Sequence, residues 1–301
     1  MTTNLKLGTR GSPLALAQAN MVAAALGAHG SRCEIVVITT TGDRVQDRPL
    51  AEIGGKALWT KELDAALIDR RIDFAVHSMK DVETDLNEHV ALAAMMPRAD
   101  VRDRLIGAAT LGELRHGARV GTSSPRRAAQ LLARRPDLVI EMLRGNVATR
   151  LARIAAGDFD ATLLAAAGLD RLGIDAGHAL ELDDWLPAPA QGAVGIAVRR
   201  GDSAVHDAVA KIDHADTHAA VVLERHFLAC LDADCHSPVA ALARVEGGTA
   251  RFTAEIMRGD GSERQHGATH SPIADAKDAV AVLAAELLAR ASPALRAQFG
   301  G

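Results

Sequence analysis

The chain has 301 residues, a formal net charge of −4 and 48% hydrophobic residues, the balance of an ordinary folded protein with room for two or three domains. The acidic excess argues against a nucleic-acid binder, whose domains carry a basic surplus, and no apolar run approaches the roughly 20 residues of a membrane span. The opening MTTNLKLGTR lacks the basic-then-apolar order of an export signal, and three cysteines with Cys33 far from the other two make no disulfide framework, so a reduced, cytoplasmic setting is expected. With five Phe, two Trp and no Tyr, the cores must be aliphatic.

Taken in chain order, the first half alternates strand and helix. LKLGT reads as a strand; SPLALAQANMVAAALGA follows as a helix capped by Ser12, with Pro13 at its first position. CEIVVITT is a second strand. TKELDAALIDR is a helix opened by Thr60, acidic early and basic late, as the helix dipole favours. DFAVHS and VALAAMM are short buried strands. The same grammar restarts near residue 103. The strands there are RLIGA, ARVGT, LVIEML and ATLLAAA, and the helices are SPRRAAQLLARR and NVATRLARIAAG. Such alternation predicts parallel or mixed sheets covered on both faces.

MMPRADVRD and LPAPAQGAVG look like crossings between units, and VGIAVRR after the second reads as a strand returning to the first unit. The sequence therefore predicts two α/β lobes joined by a double hinge. From about residue 217 a helix, HAAVVLERHFLACLD, precedes strand-like PVAALARVEG and RFTAEIMRGDG and a last amphipathic helix, ADAKDAVAVLAAELLARA. That reads as a smaller α+β domain. The expected boundaries are 1–97 plus 194–214, 101–190, and 216–301.

Several strand-to-helix junctions concentrate polar groups. GTRGS places Arg10 and Ser12 at one helix start; GTSSPRR places Thr122, Ser123, Ser124, Arg126 and Arg127 at another. LRGNVATR brackets a third with Arg144 and Arg150, and AGLDRLG supplies Arg171. Helix N-termini favour anions, whereas the dipole disfavours a cation there. Arginines at such positions imply a bound anion held by guanidinium forks, and their recurrence on both lobes implies a polyanion. For any one junction, a plain cap and a solvated arginine are the simpler explanation, since caps are common. DFAVHSMKD ends a buried strand with His77, Ser78, Lys80 and Asp81, where open α/β sheets place their chemistry. Asp81 is either a local partner of Lys80 or a general acid/base. TGDRVQDRPLAEIGGKALW is either a surface loop or a flap carrying Lys56 and Trp59.

HFLACLDADCHSPV holds His226, Cys230, Cys235 and His236. These are formally four zinc ligands, but two lie on a helix and the spacing matches no common Cys2His2 pattern, so no metal is expected. Cys230, inside an apolar helical run, reads as a packing residue. Cys235, in a polar loop, is either an inert thiol or a nucleophile.

GTRGSPLALAQA, GGKALWTKEL, DFAVHSMKDV, GTSSPRRAAQL, LRGNVATRL, AAAGLDRLG and PAQGAVGI occur in this order, and a Cys-x-x-Pro follows. From about residue 5 to 240 the chain thereby resembles the porphobilinogen deaminase (hydroxymethylbilane synthase) family. The resemblance implies two lobes like a type II periplasmic binding protein plus a third domain. It implies a dipyrromethane cofactor joined by a thioether to Cys235, and condensation of four porphobilinogen molecules with loss of ammonia. By the same resemblance Asp81 is catalytic. Arg10, Ser12, Ser78, Lys80, Thr122, Ser123, Ser124, Arg126, Arg127, Arg144, Gly145, Arg150, Arg171 and Gln191 bind carboxylates of cofactor and substrate. The family expectation is a cytoplasmic monomer with a small-molecule substrate and neither nucleic-acid nor membrane partners. Ala233 and Asp234 stand where relatives often have Gly-Gly, His236 where Gln is common, and Ala240 where Gly is common. Glu83, Trp59 and Val101 are further departures; none removes a catalytic group.

Two rivals use the same residues. A non-catalytic anion-binding protein explains the arginines but gives Asp81 and Cys235 nothing to do. A cysteine hydrolase needs a histidine base, and His236, adjacent in sequence to Cys235, rarely gives that geometry.

Overall fold

The computed structural model describes residues 4–40, 60–234 and 236–299. Lys56, Trp59 and Cys235 lie outside the described residues, so the flap reading and the cysteine loop's central residue stay with the sequence. The chain divides into two compact units, one built from residues 1–99 and 192–218 and the other from 100–191 and 219–301.

In the first unit the chain runs through β1 (Asn4–Thr9), α1 (Pro13–Ala28), β2 (Arg32–Val37), α2 (Lys61–Ile68), β3 (Phe74–Ser78) and β4 (Val90–Met95). Single-turn 3₁₀ geometry at Met79–Asp81 follows β3. Ser12 caps α1 as expected, its hydroxyl accepting from Ala15 N at 3.2 Å with Pro13 in the first turn. Thr60 does not cap α2: its backbone is already helical and its side chain makes no capping bond. Glu62 and Asp64 in the first turn supply the favourable dipole interaction instead. The returning strand β10 (Val194–Arg199) enters this sheet between β3 and β4, antiparallel to both, and gives the order β2-β1-β3-β10-β4. The sequence left the helix α6 (Ser203–Ala210), next along the chain, unassigned; Asp202 caps it by accepting from Val205 N.

The second unit repeats the plan. Its strands are β5 (Asp103–Ile106), β6 (Arg119–Gly121), β7 (Val139–Glu141), β8 (Ala161–Ala165) and the two-residue β9 (His178–Ala179). Their order, β7-β6-β8-β5-β9, again sets three parallel strands beside an antiparallel one. Helices α3 (Pro125–Arg134), α4 (Val147–Ala155) and α5 (Ala166–Arg171) follow β6, β7 and β8. Leu105, Val120, Leu131, Leu163 and Trp185 form part of the core.

Most of α7 (Ala215–Cys230) belongs to this unit too. It packs with the antiparallel sheet β11 (Val239–Glu246), β12 (Thr249–Met257) and β13 (Arg264–Pro272) and with α8 (Ala276–Arg290). The short α9 (Pro293–Arg296) closes this part. Phe227 and Phe252 meet there with ring centroids 5.3 Å apart. The sequence reading missed β13, whose RQHGATHSP has no large apolar residue.

The crossing that ends at Gln191 contains one strained residue. Ala190 has φ 61°, a left-handed conformation that costs an L-residue about 1–2 kcal/mol. Its N–H donates to the buried Glu224 carboxylate, whose other oxygen accepts from Ala243 N at 2.7 Å. Because Glu224 holds both the crossing and β11, the strain is retained. Ala190→Gly removes it at an unfolded-state entropy cost of about 0.4–1 kcal/mol. Its urea midpoint is therefore expected to rise, reflecting a stability gain of up to about 1.6 kcal/mol. A lower midpoint would mean that φ at 190 is not a source of strain.

Candidate active site

β1, β2 and β3 run parallel, so the residues following β1 and β3 emerge on one edge of the sheet, where doubly wound folds place ligands. Arg10, Ser12, Gln18, His77, Ser78 and Asp81 line one pocket there, with Thr60 from the start of α2. Gln18 is buried and donates from Nε2 to Ser78 Oγ at 2.8 Å, fixing that hydroxyl. Asp81 is half-buried and held by its tight turn, in which Val82 N donates to Met79 O at 3.2 Å. Lys80 occupies the same turn. The sequence reading selected neither Gln18 nor Thr60 for this pocket. Gln18 carried a signal, since it is a polar residue within the otherwise apolar run PLALAQANMV.

In the second unit β6, β7 and β8 are likewise parallel. Their C-terminal edge gathers the Thr122–Arg127 stretch, the Arg144–Arg150 stretch and α5 with Arg171. Thr122 Oγ1 accepts from Ser124 N at 3.1 Å, and Ser124 Oγ caps α3 by accepting from Arg127 N. Ser123 is half-buried beside them. Gly145 has φ 111°, and a Cβ there would lie 2.8 Å from Thr149, so no larger residue fits. Its carbonyl accepts from Arg150 Nε at 2.9 Å, which draws Arg150 back over the turn that follows Arg144. Both arginines are half-buried. Burial pulls the Arg171 guanidinium below its ordinary value, with the neighbouring Asp170 acting against it.

Arg126 and Arg127 occupy a different environment from the one the sequence suggests. Both are buried, 3% and 5% exposed, and both turn onto Asp103 at the start of β5. Arg126 Nη2 donates to Asp103 Oδ2 at 2.8 Å, and Arg127 Nη2 to Oδ1 at 2.7 Å. Arg127 Nε, Trp185 Nε1 and Gln191 Nε2 complete the shell at 3.3, 2.9 and 2.9 Å. Burial alone would raise the Asp103 pKa, but the charges of Arg126 and Arg127, with hydrogen bonds from Arg127 and Trp185, hold it well below the carboxylate range. The anion inferred from arginines at this helix start is thus supplied in part from inside the protein. Gln191 is also committed inward, since Nε2 donates to Val101 O at 2.8 Å as well. Two guanidiniums share this one carboxylate, and among the described residues Arg126 Nε is buried with no hydrogen-bond partner. Asp103 itself went unselected, because one of two Asp in the charged run ADVRDR carries no local sign of burial.

Around position 235 the flanking residues are ordered by their own contacts. Asp234 Oδ1 accepts from His236 N at 2.8 Å and from Ser237 Oγ at 3.3 Å, so this carboxylate closes a turn. Cys230 packs against the C-terminal core, as the sequence suggested, with its Sγ 3.6 Å from His226 Nε2. Burial raises its thiol pKa, which leaves it a poor nucleophile.

Two family models match the chain. Residues 5–207 match porphobilinogen deaminase, dipyrromethane cofactor binding domain, and residues 218–289 match its C-terminal domain. The porphobilinogen deaminase of Sphingopyxis alaskensis is 56% identical, covering 98% of this chain and 96% of the relative. That of Nitrobacter hamburgensis is 46% identical with the same coverage. Among solved structures, a periplasmic substrate-binding protein of an ABC transporter from Coxiella burnetii is 15% identical. The match covers 73% of this chain and 94% of that one, with a TM-score of 0.42.

Asp103→Asn leaves two buried guanidiniums without their counter-charge and is expected to cost about 3–5 kcal/mol in urea unfolding at pH 7. The folded pKa of Asp103 is depressed, so its contribution is complete above the ordinary value of about 4 and is lost as pH falls through the lower folded value. Wild type and variant therefore converge only in strong acid. Equal stability at pH 7 would contradict this assignment.

Proposed function

The chain belongs to the porphobilinogen deaminase family, and from that premise we propose how its own residues carry the family's reaction. The enzyme is a transferase of tetrapyrrole biosynthesis that joins four porphobilinogen molecules head to tail and releases hydroxymethylbilane by hydrolysis. In each condensation the bond from the aminomethyl carbon to nitrogen breaks and ammonia leaves. A bond then forms from that carbon to the free α-carbon of the preceding pyrrole, which loses its proton. The dipyrromethane cofactor, when bound, supplies the first such α-carbon, and we assign its attachment to Cys235.

The observation that carries this reading is the set of polar residues at the two sheet edges. In the first unit Asp81 shares a pocket with Arg10, Ser12 and Ser78. The carboxylate holds pyrrole N–H groups, stabilises the cation left when ammonia departs and accepts the α-proton. Arg10, with Ser12, Ser78 and Lys80, binds the acetate and propionate of the incoming monomer. In the second unit Arg144, Arg150 and Arg171, with Thr122, Ser123, Ser124 and the Gly145 backbone, receive the carboxylates of the bound chain. The donor chemistry there suits such a ligand: Arg126 and Arg127 have one carboxylate between them, and among the described residues Arg126 Nε is buried and unpartnered. A ligand carboxylate near this edge adds negative charge beside these guanidiniums, while Asp103 keeps both oriented. Gln191 acts in the same way, through Asp103 and Val101, rather than by touching the ligand.

The three-domain division expected from the sequence is part of this proposal, because the β11–β13 sheet has its own core around Phe227 and Phe252. So are the cytoplasmic setting and the monomer. Among the described residues no helix is long and apolar enough to cross a membrane.

Incubation with porphobilinogen separates this reading from a binding protein. One ammonia is expected per monomer consumed, and Asp81→Asn is expected to slow its release by about 10²–10⁴-fold while the protein remains folded. Binding of porphobilinogen without ammonia release by the wild type would overturn the proposal.

A further inference from the structure

Helix α3 carries Arg126 and Arg127 at its start, and its next turn packs against the sheet that follows the Cys235 loop. The contact is mostly apolar: Ala129 and Leu186 meet Ala240, Leu242 and Met257. One polar pair sits inside it. Gln130 is fully buried and Glu255 is 2% exposed. Gln130 Nε2 donates to Glu255 Oε2 at 3.3 Å and to Leu186 O at 3.0 Å, and its Oε1 accepts from Arg126 Nη1 at 2.8 Å. The other Glu255 oxygen accepts from Arg264 Nη1 at 3.0 Å. Both residues thus have their main hydrogen-bonding atoms satisfied, Glu255 by Gln130 on one oxygen and by Arg264 on the other.

Such a pair discriminates between registers. Sliding α3 along β12 would keep most of the apolar contact, since Ala, Leu and Met are tolerant of small shifts. It would also strand the buried Gln130 amide and leave Glu255 Oε2 without its donor, at about 1–3 kcal/mol for each unsatisfied group. A buried polar pair of this kind contributes uniqueness of packing more than net stability. What the register governs is visible in the strand pairing. Glu255 stands opposite Ala240, and Met257 N donates to Pro238 O at 3.1 Å. Pro238 is three residues beyond Cys235. The same Gln130 that grips Glu255 also holds Arg126, which reaches Asp103.

We infer that Gln130 and Glu255 are positioning residues that fix the arginine-bearing start of α3 at one distance from the segment leaving the Cys235 loop. This rests on the assignment of Cys235 as the attachment point and of this sheet edge as the carboxylate site. A chain tied at one end must present its carboxylates to groups at a set spacing, and a misplacement of about 1 Å is enough to cost roughly 10²-fold in a reaction that depends on alignment.

The test uses the purified full-length protein with porphobilinogen, reading steady-state kinetics and the intact-mass ladder of covalently bound pyrroles. Gln130→Glu sets two carboxylates against each other. It is expected to lower kcat by about tenfold or more, with a smaller change in KM, and to alter the ladder. Gln130→Glu combined with Glu255→Gln restores one donor facing one acceptor, and it is expected to return kcat to within about threefold of wild type. Should Gln130→Glu fail to fold, Gln130→Met, which keeps the length but donates nothing, is expected to show the same fall in kcat at smaller size. A merely structural pair would lower the melting temperature without moving kcat or the ladder, and that outcome would overturn the inference. So would failure of the exchanged pair to rescue a folded single variant. A wild-type protein bearing no pyrrole at all would instead overturn the functional reading.

Discussion

The second unit is organised around one carboxylate. Asp103 takes five hydrogen bonds from four side chains, and those four come from α3, from the stretch before the second crossing and from its end. Bringing Arg126 and Arg127 out of water is prohibitive without an anion beside them. Asp103 provides it and lets the start of α3 lie against the sheet. Everything near this helix inherits that placement: the Thr122 and Ser124 turn, the buried Gln130, and through Gln130 the sheet beyond the Cys235 loop. Arg126 and Arg127 share the Asp103 carboxylate, and the buried Glu255 acts on Arg126 from beyond Gln130.

The two units answer the same problem with the same topology and different contents. Each sets three parallel strands beside an antiparallel one and uses the ends of the parallel strands for its polar groups. The first places an acid, Asp81, in a pocket that, among the described residues, one arginine, Arg10, lines. The second places arginines after three successive strands. A reaction that needs one acid/base for every condensation and many anchors for a lengthening polyanion calls for this division of labour.

Much of this was legible in the sequence. Strand–helix alternation, the caps at Ser12 and Ser124, the return of β10 to the first sheet and the polar junctions all have local signatures. The strand β13 did not, because RQHGATHSP lies at a sheet edge with exposed residues at every second position and lacks the apolar alternation that marks a half-buried strand. Helix α6 was passed over because its eight residues, SAVHDAVA, give only two buried positions. The inward turn of Arg126, Arg127 and Gln191 was illegible for another reason. Burial of an arginine depends on a partner, and Asp103 lies more than twenty residues from the nearest of them. The helix-dipole argument asks for a bound anion at that helix start and gives no sign that a carboxylate from inside the protein already stands there.

The central claim is that this chain holds its growing product by a covalent tie at Cys235 and by the arginines of the second unit. The most direct measurement is the mass of the tryptic peptide His226–Arg244, which contains Cys235, taken from active protein. The account requires that peptide to carry a thioether-linked dipyrrole. Active protein that yields the peptide at its unmodified mass would contradict it.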